Sequence, residues 1–168
     1  MEDADRYQRA TFAAGCFWDA EASFRRMNGI VATAVGFTGG KPADPTYEQV
    51  SEGSTGHAEA VDIIFDPAVV TCDQLLDAFW NIHDPTRQEE QGDYTGPQYR
   101  SAIYYHNDEQ KEAALASRKK VQETGRFGNR QIVTELVPAT RFWPAEECHQ
   151  QFYEKCGQGY CISRQADE

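Results

Sequence analysis

Apolar and polar positions alternate along the stretches near 7–14, 30–37, 57–65, 100–106 and 131–137, which is the period of a half-buried β-strand. Between them the pattern changes to helical spacing. Residues 17–28, stopped by Gly29, read as one helix, and the runs 72–82, 108–124 and 144–155 as others. Thr71 with Gln74, and Asn107 with Gln110, have capping-box spacing, while Pro144 suits the first turn of a helix. Two strands in succession (30–37 and 57–65) and unequal spacing elsewhere predict an α+β fold, a sheet with helices packed on it. The connections 38–56 and 83–99 are long and rich in glycine, proline and polar residues, and structureless connections of that length in a compact domain are usually functional.

Composition narrows the class. A chain of 168 residues suits one domain over 1–168 that buries roughly 70% of its unfolded surface. Sixteen basic against 27 acidic residues give a net charge of −11, which repels nucleic acid and anionic membranes. The 5 cysteines (Cys16, Cys72, Cys148, Cys156 and Cys161) are an odd set, and no secretion signal or apolar run of membrane length is present. A disulfide-stapled secreted domain is therefore disfavoured, and reduced thiols in the cytoplasm are expected.

Against that background Gly15-Cys16-Phe17-Trp18-Asp19-Ala20-Glu21 stands out. Gly15 permits a tight bend between strand and helix, which sets Cys16 at the first turn, where unpaired N–H groups and the helix dipole favour a thiolate. The plainer alternative is a buried structural cysteine. In the strand 57–65, alternation puts Glu59 on the apolar face with Val61, Ile63 and Phe65. Desolvation there would raise its pKa and make it a general acid near neutral pH, unless an arginine or backbone N–H groups satisfy it. His57 reads as a hydrogen-bonded structural residue. Tyr47 and Tyr99 end the two long connections and can present phenol donors to a pocket, although each would also serve as an apolar body with a bonded tip. Phe17 and Trp18 can wall a small apolar pocket or simply be core. The tail Cys156-Gly157-Gln158-Gly159-Tyr160-Cys161 is suited to carrying a thiol to another sulfur, and 156–168 is expected to be flexible. Cys148, His149, Cys156 and Cys161 contain zinc-ligand types but lack paired C-x2-C knuckles. Cys72 and Cys148 read as structural.

These residues resemble the A-type peptide methionine sulfoxide reductases. Gly15-Cys16-Phe17-Trp18 followed by Glu21 is similar to that family's leading motif. Gly36-Phe37-Thr38-Gly39-Gly40, Pro45-Thr46-Tyr47, Gly56-His57-Ala58-Glu59-Ala60, His83-Asp84-Pro85, Gln91-Gly92 and Gln98-Tyr99-Arg100-Ser101 match in order. The resemblance implies a two-layer α+β sandwich with a ferredoxin-like core, and no organic cofactor or metal. It also implies that Cys16 attacks the sulfoxide sulfur, Glu59 gives the proton, Tyr47 and Tyr99 orient the oxygen, and Phe17 and Trp18 hold the methyl group of the S epimer. Cys161 would resolve the resulting sulfenic acid as a disulfide, with Cys156 a second relay thiol or a bystander, and a thioredoxin-type donor would reduce that disulfide. Free or protein-bound methionine sulfoxide is the expected substrate, and a monomer the expected state.

Two positions depart from the family pattern. Relatives usually carry glycine where this chain has Asp19, a carboxylate that opposes ionisation of the neighbouring thiol while suiting the helix start. The place five residues before Tyr99, commonly aspartate, is here Tyr94, so the nearby Asp93 is assigned a supporting role. The alternatives are another thiol redox enzyme, such as a peroxidase using Cys16 and Cys161, and a non-catalytic zinc or redox module built on 148–161.

Overall fold

The computed structural model describes residues 6–91 and 94–156. The order of elements is β1 (Gln8–Ala14), α1 (Phe17–Arg25), β2 (Ile30–Thr38), α2 (Tyr47–Ser51), β3 (Ala58–Phe65), α3 (Cys72–Asn81), the short strands β4 (Glu90–Gln91) and β5 (Tyr94–Thr95), β6 (Ser101–Tyr105), α4 (Asp108–Glu123), β7 (Glu135–Pro138), β8 (Trp143–Pro144) and α5 (Phe152–Cys156). The main sheet runs β7-β6-β1-β3-β2-β8. Its neighbours are antiparallel except β6 and β7, which are parallel, so the sheet is mixed. Within it β1-α1-β2 and β3-α3-β6 interleave as two split βαβ units with central order β6-β1-β3-β2, the ferredoxin-like arrangement.

Period-two alternation divides the sheet into two unequal faces. One carries Phe12, Val35, Phe37, Val61, Ile63, Phe65 and Ile103, and packs on Phe24 of α1 and Leu75, Leu76 and Phe79 of α3. The other carries the small residues Ala13, Ala58, Ala60 and Ala102 with Tyr104, under Val137, Ala139 and Phe142. Large side chains build the helical core, and small ones let the return of the chain lie close.

The expected strands and the first three helices are present within a few residues of their expected ends. Thr71 and Gln74 close a reciprocal capping box on α3. Asn107 accepts from Gln110 N at the start of α4, but the Gln110 side chain reaches His106 N and Arg9 O, so that box is only half formed. The long connections are not structureless. The first contains α2, capped by a Thr46–Gln49 box, and the second contains the β4–β5 hairpin and a 3-10 turn over Pro97–Tyr99.

The expected helix over 144–155 is a correction. Trp143–Pro144 instead extends the sheet edge as β8, a 3-10 turn covers Glu147–His149, and only Phe152–Cys156 is α-helical. The cause is tertiary. Gln150 bridges the N–H and carbonyl of Val35 at 2.8 Å each, and Gln151 donates its backbone N–H to Glu21 at 2.7 Å with φ at 48°. Bonds to β2 and α1 draw this backbone out of the helical path. The expected tail 156–168 lies beyond the described residues apart from the backbone of Cys156. Among the described residues no helix is long and apolar enough to cross a membrane.

Candidate active site

The site grows from the end of β1. Gly15 has φ of 83°, and a Cβ on it would stand 2.9 Å from the Gln91 side chain, so a residue with neither strain nor bulk is needed there. Gln91 is itself fixed by bonds to the N–H and carbonyl of Asp84, at 2.8 and 2.7 Å. This bend delivers Cys16 as the N-cap residue of α1, 4% exposed. Backbone N–H groups of Trp18 and Asp19 favour its thiolate, as the helix start predicts. They do not win. Burial, then the charges of Glu59 and Asp19, push the Cys16 thiol well above its ordinary range, so the expected activated thiolate is corrected to a resting thiol.

Glu59 comes from β3 and is 1% exposed, on the same buried face as Val61, Ile63 and Phe65. Its Oε1 accepts the Phe17 backbone N–H at 3.1 Å, and its Oε2 has no hydrogen-bond partner among the described residues. Burial raises its pKa to about 8 against the opposing Phe17 N–H, so near neutral pH it holds a proton. Among the described residues no arginine pairs with it. A buried carboxylic acid with one unengaged oxygen is a costly arrangement, about 1–3 kcal/mol for an unsatisfied polar atom.

Aromatic rings surround the pair. Phe17 and Trp18 are 1% and 3% exposed, and Tyr47, at the start of α2, lies 6.1 and 6.0 Å from their ring centroids. Tyr99 ends the 3-10 turn after the β4–β5 hairpin. Burial first, then Glu59, Tyr47 and Cys16, push its phenol far above the usual range, so it stays a hydrogen-bond donor. His57 does not join them: its Nδ1 accepts from Gly40 N at 3.0 Å and its Nε2 donates to the Pro42 carbonyl at 2.8 Å, which pins the first long connection. A Cβ on Gly40 would stand 2.4 Å from His57 N, so this approach requires glycine.

Cys16, Glu59, Tyr47, Tyr99, Phe17 and Trp18 thus converge. Asp93 and Cys161 lie outside the described residues, as does the side chain of Cys156. Three groups not assigned to the site from sequence also reach it. Tyr94 stands beside the Cys16 thiol and interacts with it, and its ring lies 5.1 Å from that of Tyr99. Tyr153 of α5 donates to Asp19. His149, a candidate zinc ligand in the pattern, accepts the Trp18 indole N–H at 3.2 Å and stacks on Tyr47 at 4.4 Å. Among the described residues no three His, Cys, Asp or Glu side chains gather as a metal site, and Cys148 is exposed. Local pattern could not find these groups, because each reaches the thiol only through tertiary folding of a distant segment.

What this arrangement can do is transfer oxygen from a neutral oxygen donor to the cysteine sulfur, with a thiol, a proton source and phenol donors in one apolar enclosure. Comparisons with known proteins agree. Residues 8–168 match the family model for peptide methionine sulfoxide reductase. A peptide methionine sulfoxide reductase of Methanosarcina acetivorans is 58% identical over 150 residues, covering 89% of this chain and 79% of the relative. Among solved structures, reduced Mxr1 from Saccharomyces cerevisiae has a TM-score of 0.86 at 34% identity, covering 93% of this chain and 89% of that one. Mxr1 in complex with Trx2 has a TM-score of 0.63 at 27% identity, with 85% and 84% covered. With its fold, its thiol site and a match from residue 8 to residue 168 in agreement, this chain belongs to the peptide methionine sulfoxide reductase family, oxidoreductases that act through a cysteine thiol.

Proposed function

We propose that Cys16 is the nucleophile of a methionine-S-sulfoxide reductase, Glu59 its proton donor, Tyr47 and Tyr99 the donors to the sulfoxide oxygen, and Phe17 and Trp18 the pocket for the methyl group. The observation that carries this reading is Glu59, a buried acid beside the thiol whose Oε2 is unengaged among the described residues. A sulfoxide oxygen leaves sulfur only as it is protonated, and an acid with a pKa of about 8 still holds its proton near neutral pH. Cys16 sulfur attacks the substrate sulfur while Glu59 protonates the sulfoxide oxygen, that oxygen then passes to Cys16 sulfur as the transient sulfur–sulfur bond breaks, and the thiol proton restores Glu59. The balance is thiol plus sulfoxide to sulfenic acid plus methionine sulfide.

Cys161 is assigned as the resolving thiol. It condenses with the sulfenic acid, forming the disulfide and releasing water, and a thioredoxin-type dithiol then reduces that disulfide. Support for such a donor is the structural likeness to Mxr1, which has been solved with Trx2. Cys156 is a second relay thiol or a bystander in that exchange, and Asp93 has a supporting role. Recycling by dithiols suits a reducing compartment such as the cytoplasm, and a monomer suffices, since one chain supplies every group named. Repair of proteins damaged by oxidative stress is the corresponding role.

The test is a single anaerobic turnover of the reduced protein with separated S and R epimers, counting methionine formed and thiols lost. Methionine from the S epimer alone, with paired thiol loss, is expected. Cys16→Ser should form none, whereas Cys161→Ser should form one equivalent and then stop. No methionine from either epimer would refute the assignment and direct attention to peroxide as substrate.

A further inference from the structure

A third phenol stands at the thiol, and it is neither of the two assigned to the sulfoxide oxygen. Tyr94 opens β5, directly opposite Gln91 in the β4–β5 hairpin. That hairpin has little freedom at this point. Gln91 is bonded at both amide atoms to the Asp84 backbone and lies against Gly15, the residue before the thiol. Gly96, just after β5, donates its N–H to the Glu89 carbonyl at 2.7 Å, and the Tyr94 ring rests on Tyr99. The segment that carries Tyr94 is thus keyed to the backbone that presents Cys16.

We propose that Tyr94 is a further catalytic residue of this enzyme, whose hydroxyl donates a hydrogen bond to Cys16 sulfur and stabilises the negative charge that develops there during attack. This rests on the sulfoxide reductase reading above. The phenol transfers no proton. Burial, then the thiol itself, hold it far above the ordinary phenol range, so it acts as a donor throughout the working range. The charged and titratable groups that face Cys16 explain why such a donor is needed. Glu59 of β3 and Asp19 of α1 both oppose its ionisation, while Tyr99 and Tyr153 feel the thiol's charge from the other sides. Only the Trp18 and Asp19 backbone N–H groups favour the thiolate from within α1. Tyr94 adds a side-chain donor from across the site, and a hydrogen bond to a charged acceptor is among the stronger ones a protein makes.

The test is Tyr94→Phe, which keeps the ring packed on Tyr99 and removes only the hydroxyl. Reduced protein is treated with iodoacetamide at neutral pH, and the alkylation rate of Cys16 is followed by mass spectrometry of its peptide. That rate reports thiolate alone and needs no sulfoxide. It should fall by about tenfold in the variant, with a similar fall in the single-turnover rate and little change in KM. An unchanged alkylation rate would overturn the assignment, whether or not turnover slowed. A slower alkylation in a protein that reduces neither epimer would uphold the Tyr94 contact and refute the proposed function instead.

Discussion

At Glu59 the chain holds a carboxyl group that folding discourages from ionising. Below about pH 4.5 both folded and unfolded chains keep its proton, and between there and about 8 only the folded chain does. Stability is therefore lost as pH rises through that window. Glu59→Gln, which keeps an acceptor for Phe17 N–H and cannot ionise, should be more stable than the natural protein by about 3 kcal/mol near neutral pH. The gain should vanish in acid. Denaturant titrations at several pH values check it, and parallel stability profiles would show that Glu59 ionises freely in the fold. The same variant should slow the chemical step by roughly 10²- to 10⁴-fold and abolish the decline in natural single-turnover rate above about pH 8. Sequence showed this residue well, because period-two alternation alone places Glu59 among Val61, Ile63 and Phe65. The Cys16 thiol was harder to judge. Its helix start was legible, but the depth of burial and the approach of Glu59 depend on β1 and β3 being paired across the sheet.

Among the elements, those whose own residues specify them were legible, and those held by distant partners were not. Thr71 and Gln74 start α3 with a box written within four consecutive residues. The segment 143–156 has helical spacing yet follows the demands of β2 and α1 instead. Its key is Gln150, which is buried and bonded to both backbone groups of Val35 and to the Ala145 carbonyl. Gln150→Ala would take the acceptor from the Val35 N–H and one donor from the Ala145 carbonyl, while the Val35 carbonyl keeps the Ala145 N–H at 2.9 Å. We expect a loss of about 2 kcal/mol in stability and a slower single turnover, because the strip that places His149 on Tyr47 and Trp18 loses its side-chain attachment to β2. Chemical denaturation and a sulfoxide assay on the same preparation measure both. An unchanged midpoint would mean that Val35 is resolvated without cost.

For the whole molecule, the ferredoxin-like order brings α1 and the C-terminal strip to the same end of the sheet. There α5 is fastened to α1 by several independent contacts. Phe152 stacks on Trp18 at 3.9 Å, Arg25 pairs with Glu154 at 2.7 Å, and Tyr153 donates to Asp19. Cys161 follows Cys156 by five residues, a reach of at most about 17 Å. On the proposed assignment, disulfide closure is then an intramolecular event over a short span. Doubling the chain between Cys156 and Cys161 with glycine and serine should slow closure only about threefold, read as the rate of thiol loss after one turnover. A far larger loss would mean that the spacer is read residue by residue. The fastening of α5 also bears on how long each enzyme molecule survives. A sulfenic acid left waiting meets peroxide and climbs to sulfinic acid, which thiols do not reverse. On the same assignment, a resolving sulfur linked through five residues is present at an effective concentration of about millimolar order, and so intercepts the oxidised cysteine first. On the proposed assignment of Cys161, the contacts that hold Phe152–Cys156 against the active-site helix thereby spare the catalyst from irreversible oxidation of its own thiol.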